Sequence, residues 1–221
     1  MLDDSNQSLA YQRMRKAIIY CTYAPGQKLS TRELEDSLGF GRTPIREALV
    51  MLSVQGLVYT VPQSGTYVSK IDMQAAEDLL YIREHLEKSV VMECCARLAP
   101  KDCATLADTL ADEQAAIDRH DALGFFDNDN RFHDGLYAVA GRTAIRDWLD
   151  ASNTHLERFR WLRTQVVDLD WQIIHDQHIE IFGAIRSRDP EQASYVCSTH
   201  LHLMATEQPA VRAAFPTYFK E

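Results

Sequence analysis

The sequence predicts a mainly α-helical protein, with an N-terminal winged helix-turn-helix over residues 1–71 and an antiparallel all-α bundle over residues 72–221. Three observations predict this fold. Residues up to 56 have the pattern of three short amphipathic helices, with a Gly-containing turn before the third. Residues 57–70 alternate as a β-hairpin does. Beyond them, six segments carry apolar residues at helical spacing.

The first two helices are predicted from periodicity and capping residues. Residues 9–23 have their apolar side chains on one face, and a Pro-Gly pair then turns the chain. The second helix begins at Ser30 or Thr31, with Glu33 placed to form a capping box with Ser30. Gly39 closes this helix, since glycine readily adopts the left-handed conformation that follows a helix end.

The third helix is predicted from about Thr43 to Gln55, with Pro44 near its start, where the missing N–H of proline costs nothing. Strand-like segments 57–61 and 66–70 follow, separated by "PQSG", and they predict a two-stranded wing. The bundle helices are expected in residues 74–99, 101–120, 123–141, 144–162, 171–188 and 190–205.

This order of elements suggests a DNA-binding surface. In a helix-turn-helix, the recognition helix presents its N-terminal side chains to base edges in the major groove. Arg42 and Arg46 lie there, four residues apart on one face, and Arg32 is placed for a phosphate contact. Ser64 and Gly65 form the hairpin tip, which can approach DNA closely because glycine has no Cβ. Taken singly, each arginine is better explained as a solvated surface residue, so the prediction depends on the whole pattern.

Charge is unevenly distributed along the chain. The formal net charge is -9, but residues 1–70 hold 8 Lys/Arg against 6 Asp/Glu, a net of +2. Residues 71–221 hold 15 against 26, a net of -11. The overall acidity argues against diffuse binding to nucleic acid and leaves room for a local basic face near the N-terminus.

The sequence also predicts a cytoplasmic protein without a membrane segment. Its five cysteines are odd in number and have no CxxC spacing, which is typical of reduced thiols. No apolar run approaches the roughly 18–20 residues that span a bilayer. The first residues are acidic and polar, unlike a signal peptide.

The segment "PGQKLSTRELEDSLGFGRTPIREALVMLSVQGLVYTVPQSGTYV" closely resembles the GntR family of bacterial transcription regulators. The family pattern is P-G-x-x-L-[ST]-x-R-E-L-A-x-x-L-G-V-S-R-T-P-V-R-E-A-L, then L-x-x-x-G-L-V and a wing ending G-x-x-V. The resemblance implies that double-stranded operator DNA is contacted by the matching arginines and the wing glycine. The expected DNA-contacting residues are Arg32, Arg42, Thr43, Arg46, Ser64 and Gly65.

Four polar residues of the helical part are candidates for a metal site. Asp129 and His133 are four residues apart, so they face one side of a helix. His178 precedes Asp189 by 11 residues and His200 follows it by 11, so an antiparallel pair of helices turning there would bring both histidines to a similar height. Three imidazoles and a carboxylate suit a divalent transition metal such as zinc, nickel or manganese. From spacing alone, ordinary hydrogen-bonded histidines are the better explanation.

The segments "DNRFHDGLYAVAG", "DQHIEIFGAIRSRDPEQA" and "THL" are similar to the ligand-binding FCD domain of one large GntR subgroup. The resemblance implies a metal held by Asp129, His133, His178 and His200. It also implies that Arg83, in "YIREHLE", contacts an anionic effector near the metal. The protein is therefore expected to be a repressor that acts as a homodimer and responds to a small organic acid.

Two other functions are compatible with the same residues. A metal-dependent hydrolase or lyase could use the centre of three histidines and one aspartate to activate water, with Glu87, Asp176 or Glu180 as the base. Alternatively, the metal could only stabilise the bundle, with the N-terminal domain mediating contacts with other proteins. The sequence contains no nucleophile elbow and no Gly-rich phosphate loop, so a protein without enzymatic activity is favoured.

Overall fold

A computed structural model of the protein describes residues 5–221, which form ten α-helices, a short 3₁₀-helix and one three-stranded sheet. The predicted fold class is confirmed. The described residues divide into two compact units. The first comprises residues up to Ala76 together with 151–162 and 212–221, and the second comprises residues 77–150 and 163–211. Within residues 5–221, no helix is both long and apolar enough to cross a bilayer.

The N-terminal part of the first unit contains three helices and a small antiparallel sheet. The helices are α1 (Asn6–Ile19), α2 (Thr31–Leu38) and α3 (Arg42–Val54), and the strands are β1 (Lys28–Leu29), β2 (Val58–Val61) and β3 (Gly65–Val68). The strand order is β1-β3-β2. The prediction of two strands is therefore incomplete, because β1 has only two residues and too short a run to show alternation.

Capping explains the boundaries of α2. Ser30 Oγ accepts a hydrogen bond from the backbone N–H of Glu33 at 3.4 Å, and Gly39 follows α2 with a φ of 73°. Helix α3 begins at Arg42, with Gly41 as its N-cap residue. Thr43 therefore lies inside the first turn, and the helix starts one residue earlier than predicted.

Helix α8 (Thr154–Arg163) contributes most of residues 151–162 to the first unit. Glu157 accepts from Nη2 of Arg15 at 2.9 Å. Arg158 is fully buried and donates from Nη1 to the carbonyl of Ser69 at 2.6 Å. These contacts tie α8 to α1 and to the residue after β3. They do not show where an independently folding domain ends, so the boundary at residue 71 stays a prediction.

His155 on α8 is held as a neutral imidazole. Its Nδ1 accepts from the backbone N–H of Asp72 at 3.1 Å and lies 3.0 Å from Nη2 of Arg158, which leaves no room for a proton on that nitrogen. Burial, together with the charge of Arg158, lowers the pKa of His155 to about 4. In the unfolded chain, His155 takes up a proton as pH falls below about 6.5. In the folded chain, it takes up that proton only near pH 4.

The folded state should therefore lose stability as pH falls below about 6.5. We expect the melting temperature to fall less between about pH 7.5 and pH 5.5 in His155→Gln than in the parent, since the glutamine does not titrate. Differential scanning calorimetry measures this difference. The matched control is His85→Gln at an exposed position, which should keep the parent's dependence. Parallel curves for parent and His155→Gln would show that another group is responsible.

The remaining helices belong wholly or mainly to the second unit. They are α4 (Met73–Arg97), α5 (Pro100–Asp118), α6 (Ala122–Ala140), α7 (Thr143–Ser152), α9 (Gln172–Arg186) and α10 (Pro190–Ala214). The predicted single helix over 144–162 is two helices, because the carbonyl of Asn153 accepts from the backbone N–H of Glu157 and begins α8. Asparagine is a favoured residue at such a start. Helix α10 continues past its predicted end through Pro209, and Val211, two residues further on, is fully buried.

Two local arrangements position the polar residues of this unit. Side chains of α4 reach the end of α6, where Cys94 Sγ lies 3.2 Å from the carbonyl of Leu136 and Arg97 Nη1 donates to that of Ala140 at 2.8 Å. Helices α9 and α10 form a hairpin, and Asp189 Oδ1 at its turn accepts from the N–H of Gln192 at 3.0 Å.

Candidate functional site

The arginine side chains of the predicted recognition helix are exposed to solvent. Arg42, Thr43 and Arg46 are exposed on α3, while Ile45 and Leu52 on its other side are fully buried. In the part of the chain that the structure describes, neither arginine forms an ion pair. Both guanidinium groups are therefore available to phosphates or base edges.

The other expected DNA contacts lie on α2 and at the wing tip. Arg32 is exposed on α2. Ser64 is exposed, and its Oγ lies 2.6 Å from the hydroxyl of Tyr67. Gly65 has a φ of 137°, and a Cβ added there would lie 2.8 Å from Cε of Lys28. The tip conformation therefore requires glycine at this position.

Three histidines meet in the interior of the second unit. His133 comes from α6, His178 from α9 and His200 from α10, and all three side chains are buried. The Nε2 atom of His200 lies 3.3 Å from Nε2 of His178 and 3.3 Å from Nε2 of His133. Two nitrogens bound tetrahedrally to one ion at about 2.0–2.1 Å are about 3.3–3.4 Å apart, so this spacing matches a shared metal.

The other ring nitrogen of two of these histidines faces a carboxylate. Nδ1 of His133 lies 3.0 Å from Glu87 Oε2, and Nδ1 of His178 lies 3.0 Å from Glu113 Oε1. An ionised carboxylate can only accept a hydrogen bond. In His178, Nδ1 therefore carries the proton and Nε2 keeps its lone pair. The 3.0 Å separation favours the same tautomer in His133, although Nδ1 and Oε2 are not aligned there as a hydrogen bond.

His200 follows the same arrangement, since its Nδ1 lies 3.1 Å from Oε1 of Gln177. In this tautomer three unprotonated Nε2 atoms converge, and a cation bound between them would offset the repulsion of their lone pairs. The 3.3 Å separations also suit a hydrogen bond between two of the imidazoles, with a proton on one Nε2 atom.

Asp129, the fourth predicted ligand, is buried one turn before His133, and its Oδ2 lies 3.9 Å from Nε2 of His133. Its carboxylate also lies within 4.8 Å of ligand atoms of Glu113 and His178. The four predicted ligands are thus brought to one place. That they hold a metal stays a prediction.

Burial favours the neutral form of two of the imidazoles, and metal binding requires that form. Burial and the neighbouring imidazoles of His178 and His133 hold the pKa of His200 well below its usual value. Burial also lowers the pKa of His133, although the carboxylate of Glu87 opposes this effect.

Arg83 and Glu87 form a buried pair beside the three histidines. Nε of Arg83 donates to Oε1 of Glu87 at 2.7 Å, and both side chains are 1% exposed. Burial alone would raise the pKa of Glu87, but the charge of Arg83 and the nearby His133 hold it well below its usual range. Glu87 thus joins the predicted effector-binding arginine to a predicted metal ligand.

The alternative general bases named from the sequence are placed differently. Glu87 is occupied by Arg83 and His133. Asp176 and Glu180 are exposed on α9, and Oδ1 of Asp176 accepts from the amide of Gln172 at 2.8 Å. No role was predicted from the sequence for Glu113 or for His175.

Comparison with known families agrees with both halves of this arrangement. Residues 6–68 match the family described as bacterial regulatory proteins, gntR family, and residues 78–203 match the FCD domain. The FCD match alone covers more than half of the chain. The chain belongs to the GntR family of bacterial regulatory proteins. This GntR-family protein is a transcriptional regulator of the FCD type.

Individual relatives and solved structures support the assignment. The HTH-type transcriptional repressor RspR of Escherichia coli (strain K12) is 28% identical, with 98% of this chain and 94% of the relative covered. A regulator from an unstable DNA locus of Streptomyces ambofaciens is 32% identical, with 97% and 90% covered. The structure of E. coli McbR/YncC has a TM-score of 0.81 at 18% identity, covering 96% of this chain and 100% of that one. At that identity, the likeness concerns the fold alone.

Proposed function

We propose that the protein is a repressor whose affinity for operator DNA is controlled by a small carboxylate effector, bound at or near a divalent metal among the helices after residue 72. The observation that carries this proposal is the convergence of three Nε2 atoms, each from a ring whose Nδ1 faces an acceptor. Relatives named as transcriptional repressors support repression rather than activation.

The proposed metal is held by Asp129, His133, His178 and His200. Zinc, nickel and manganese are all compatible with imidazole-rich ligands, and the ion bound in cells depends on supply as well as on geometry. When bound, the ion supplies a positive centre with open positions. The protein's own contribution is to keep three imidazoles neutral and oriented by their outer partners.

Arg83 supports the choice of an anionic effector. Its guanidinium is buried and bonded to Glu87 through Nε, and its Nη2 atom has no hydrogen-bond partner among the described residues. A buried polar group without a partner is costly, and a carboxylate is the group that a guanidinium binds best. One oxygen of a small acid could therefore bind the metal, while a second polar group of the same acid binds Arg83.

An effector can change DNA affinity only if it binds the two conformations of the regulator unequally. We expect this coupling to require Arg83. Arg83→Ala should keep the metal but lose the effector response, because it removes an anion contact and no proposed ligand.

Thermal shift of the metal-loaded protein with a set of small mono- and dicarboxylates measures the effect. Arg131→Ala, at an exposed arginine, is the matched control. If Arg83→Ala responds to the same acids as the parent, the proposed effector contact is wrong.

We also propose a homodimer. One winged helix makes few base contacts, and two copies on a near-palindrome multiply them. Large exposed apolar side chains on the helices after residue 72, among them Tyr81, Trp148 and Tyr195, are suited to such an interface. We expect light scattering to give twice the 25.2 kDa chain mass at micromolar concentration. A monomer that binds operator one copy per site would contradict this.

A further inference from the structure

Glu113 is a fully buried carboxylate on α5. Its Oε2 lies 2.8 Å from Nδ1 of His175, and its two oxygens lie 3.0 and 3.1 Å from Nδ1 of His178. The two histidines are three residues apart on α9, so they project from the same face of that helix. One carboxylate therefore holds two imidazoles, each through its Nδ1 atom.

We infer that Glu113 is a positioning residue for the metal, holding His178 with its proton on Nδ1 and its Nε2 lone pair directed at the meeting point with His200. This inference rests on the proposed metal centre. An ionised carboxylate offers acceptors alone, and a buried one is tolerated only where donors surround it. Both Nδ1 atoms must therefore carry protons, which leaves Nε2 of His178 unprotonated.

His175 has a supporting part in this arrangement. Its N–H binds Oε2 of Glu113, so the carboxylate is held from a second direction and can keep Oε1 on His178. His175 is itself buried, with 6% of its surface exposed. A carboxylate that fixes the tautomer and orientation of a metal-binding imidazole in this way raises metal affinity without touching the metal.

The substitution Glu113→Gln tests this role at constant size. The amide offers one acceptor and one N–H donor to two imidazole N–H groups. To satisfy the amide, one of the two imidazoles must shift its proton to Nε2. If His178 shifts, that proton blocks the metal; if His175 shifts, His178 donates to a neutral amide oxygen in place of a carboxylate, which lowers the basicity of its Nε2 atom. We expect the Kd for zinc to rise about 10- to 100-fold, measured by competition with a chromophoric chelator on the full-length protein. Asp112→Asn, the same charge change at the adjacent exposed position, should leave the zinc Kd unchanged.

The tautomer itself can be observed. Two-bond ¹⁵N–¹H correlation spectra of the metal-free protein should show His178 protonated at Nδ1 in the parent, and a larger Nε2-protonated fraction of His178 and His175 together in Glu113→Gln. A parent spectrum with the proton on Nε2 would overturn the inference even if the variant failed to fold. Equal zinc affinity in Glu113→Gln and parent would also overturn it. A parent that binds no zinc would refute the proposed metal centre instead, while the spectra would still decide the role of Glu113.

Discussion

His178→Ala and His200→Ala are each expected to lose the bound metal and much of the thermal stability that it provides. A metal present at about 1,000 times its Kd stabilises the folded state by about 4 kcal/mol. In a chain of this length each kcal/mol moves the melting temperature by roughly 2–4 °C, so we expect a fall of roughly 10 °C. Elemental analysis and calorimetry of protein purified without chelator measure both effects.

Two neighbouring histidines serve as controls for this prediction. His175 contacts Glu113 and not the three Nε2 atoms, and the side chain of His202 is 63% exposed. His175→Ala and His202→Ala should therefore retain the metal at saturating concentration. If His178→Ala holds as much metal as the parent, the proposed site is wrong, and the effector mechanism built on it is wrong as well.

Arg46→Ala is expected to weaken operator binding and to relax discrimination at one base pair. An arginine bidentate to guanine contributes roughly 1–3 kcal/mol of discrimination, and Arg46 is exposed in the first half of α3 without an ion-pair partner in the described chain. Gel shifts with operator and with single-base variants of it measure the loss. The predicted signature is a variant that no longer distinguishes one base pair that the parent reads.

Arg32→Ala should behave differently, because Arg32 is exposed on α2 and is proposed to contact phosphate. A phosphate contact carries no sequence information, so its loss should weaken binding to all duplexes alike. It should also reduce the slope of log K against log salt concentration by about 1. Titrations at two salt concentrations separate the two arginines. If both variants bind operator as the parent does, α3 is not the recognition helix.

Much of the fold could be predicted because its signals are local. Ser30 and Glu33 predict the start of α2, Gly39 predicts its end, and these lie within one short segment. The approach of His178 and His200 also follows from counting residues along a helical hairpin, and their Nε2 atoms are 3.3 Å apart in the structure.

The partners of the histidines in the proposed metal site could not be predicted, because they are distant in sequence. Glu113 is 65 residues from His178, and its charge in a polar segment suggests a solvated position. One signal was present: Glu113 continues the helical spacing of Leu106, Leu110 and Ala116, all of them buried on α5. A carboxylate on the apolar face of a helix indicates a buried partner.

The placement of α8 in the first unit could not be predicted from the sequence either. Glu157 and Arg158 have the polarity of an exposed helix surface, and nothing near them in sequence indicates their partners. Glu157 pairs with Arg15, 142 residues away, and Arg158 reaches Ser69, 89 residues away. Long-range polar contacts of this kind leave no periodic signal, so they become visible only in the folded chain.

The most direct test of the central claim is selection of a random double-stranded DNA library by the full-length, metal-loaded protein, followed by binding titrations of the enriched duplex with and without small carboxylic acids. We predict enrichment of a near-palindromic sequence whose binding requires Arg46, weakens steeply with salt, and is altered by at least one acid in the parent but not in Arg83→Ala. Absence of any enriched sequence, or an enriched sequence bound equally well by Arg46→Ala and unaffected by every acid, would contradict a DNA-binding regulator controlled by a carboxylate effector.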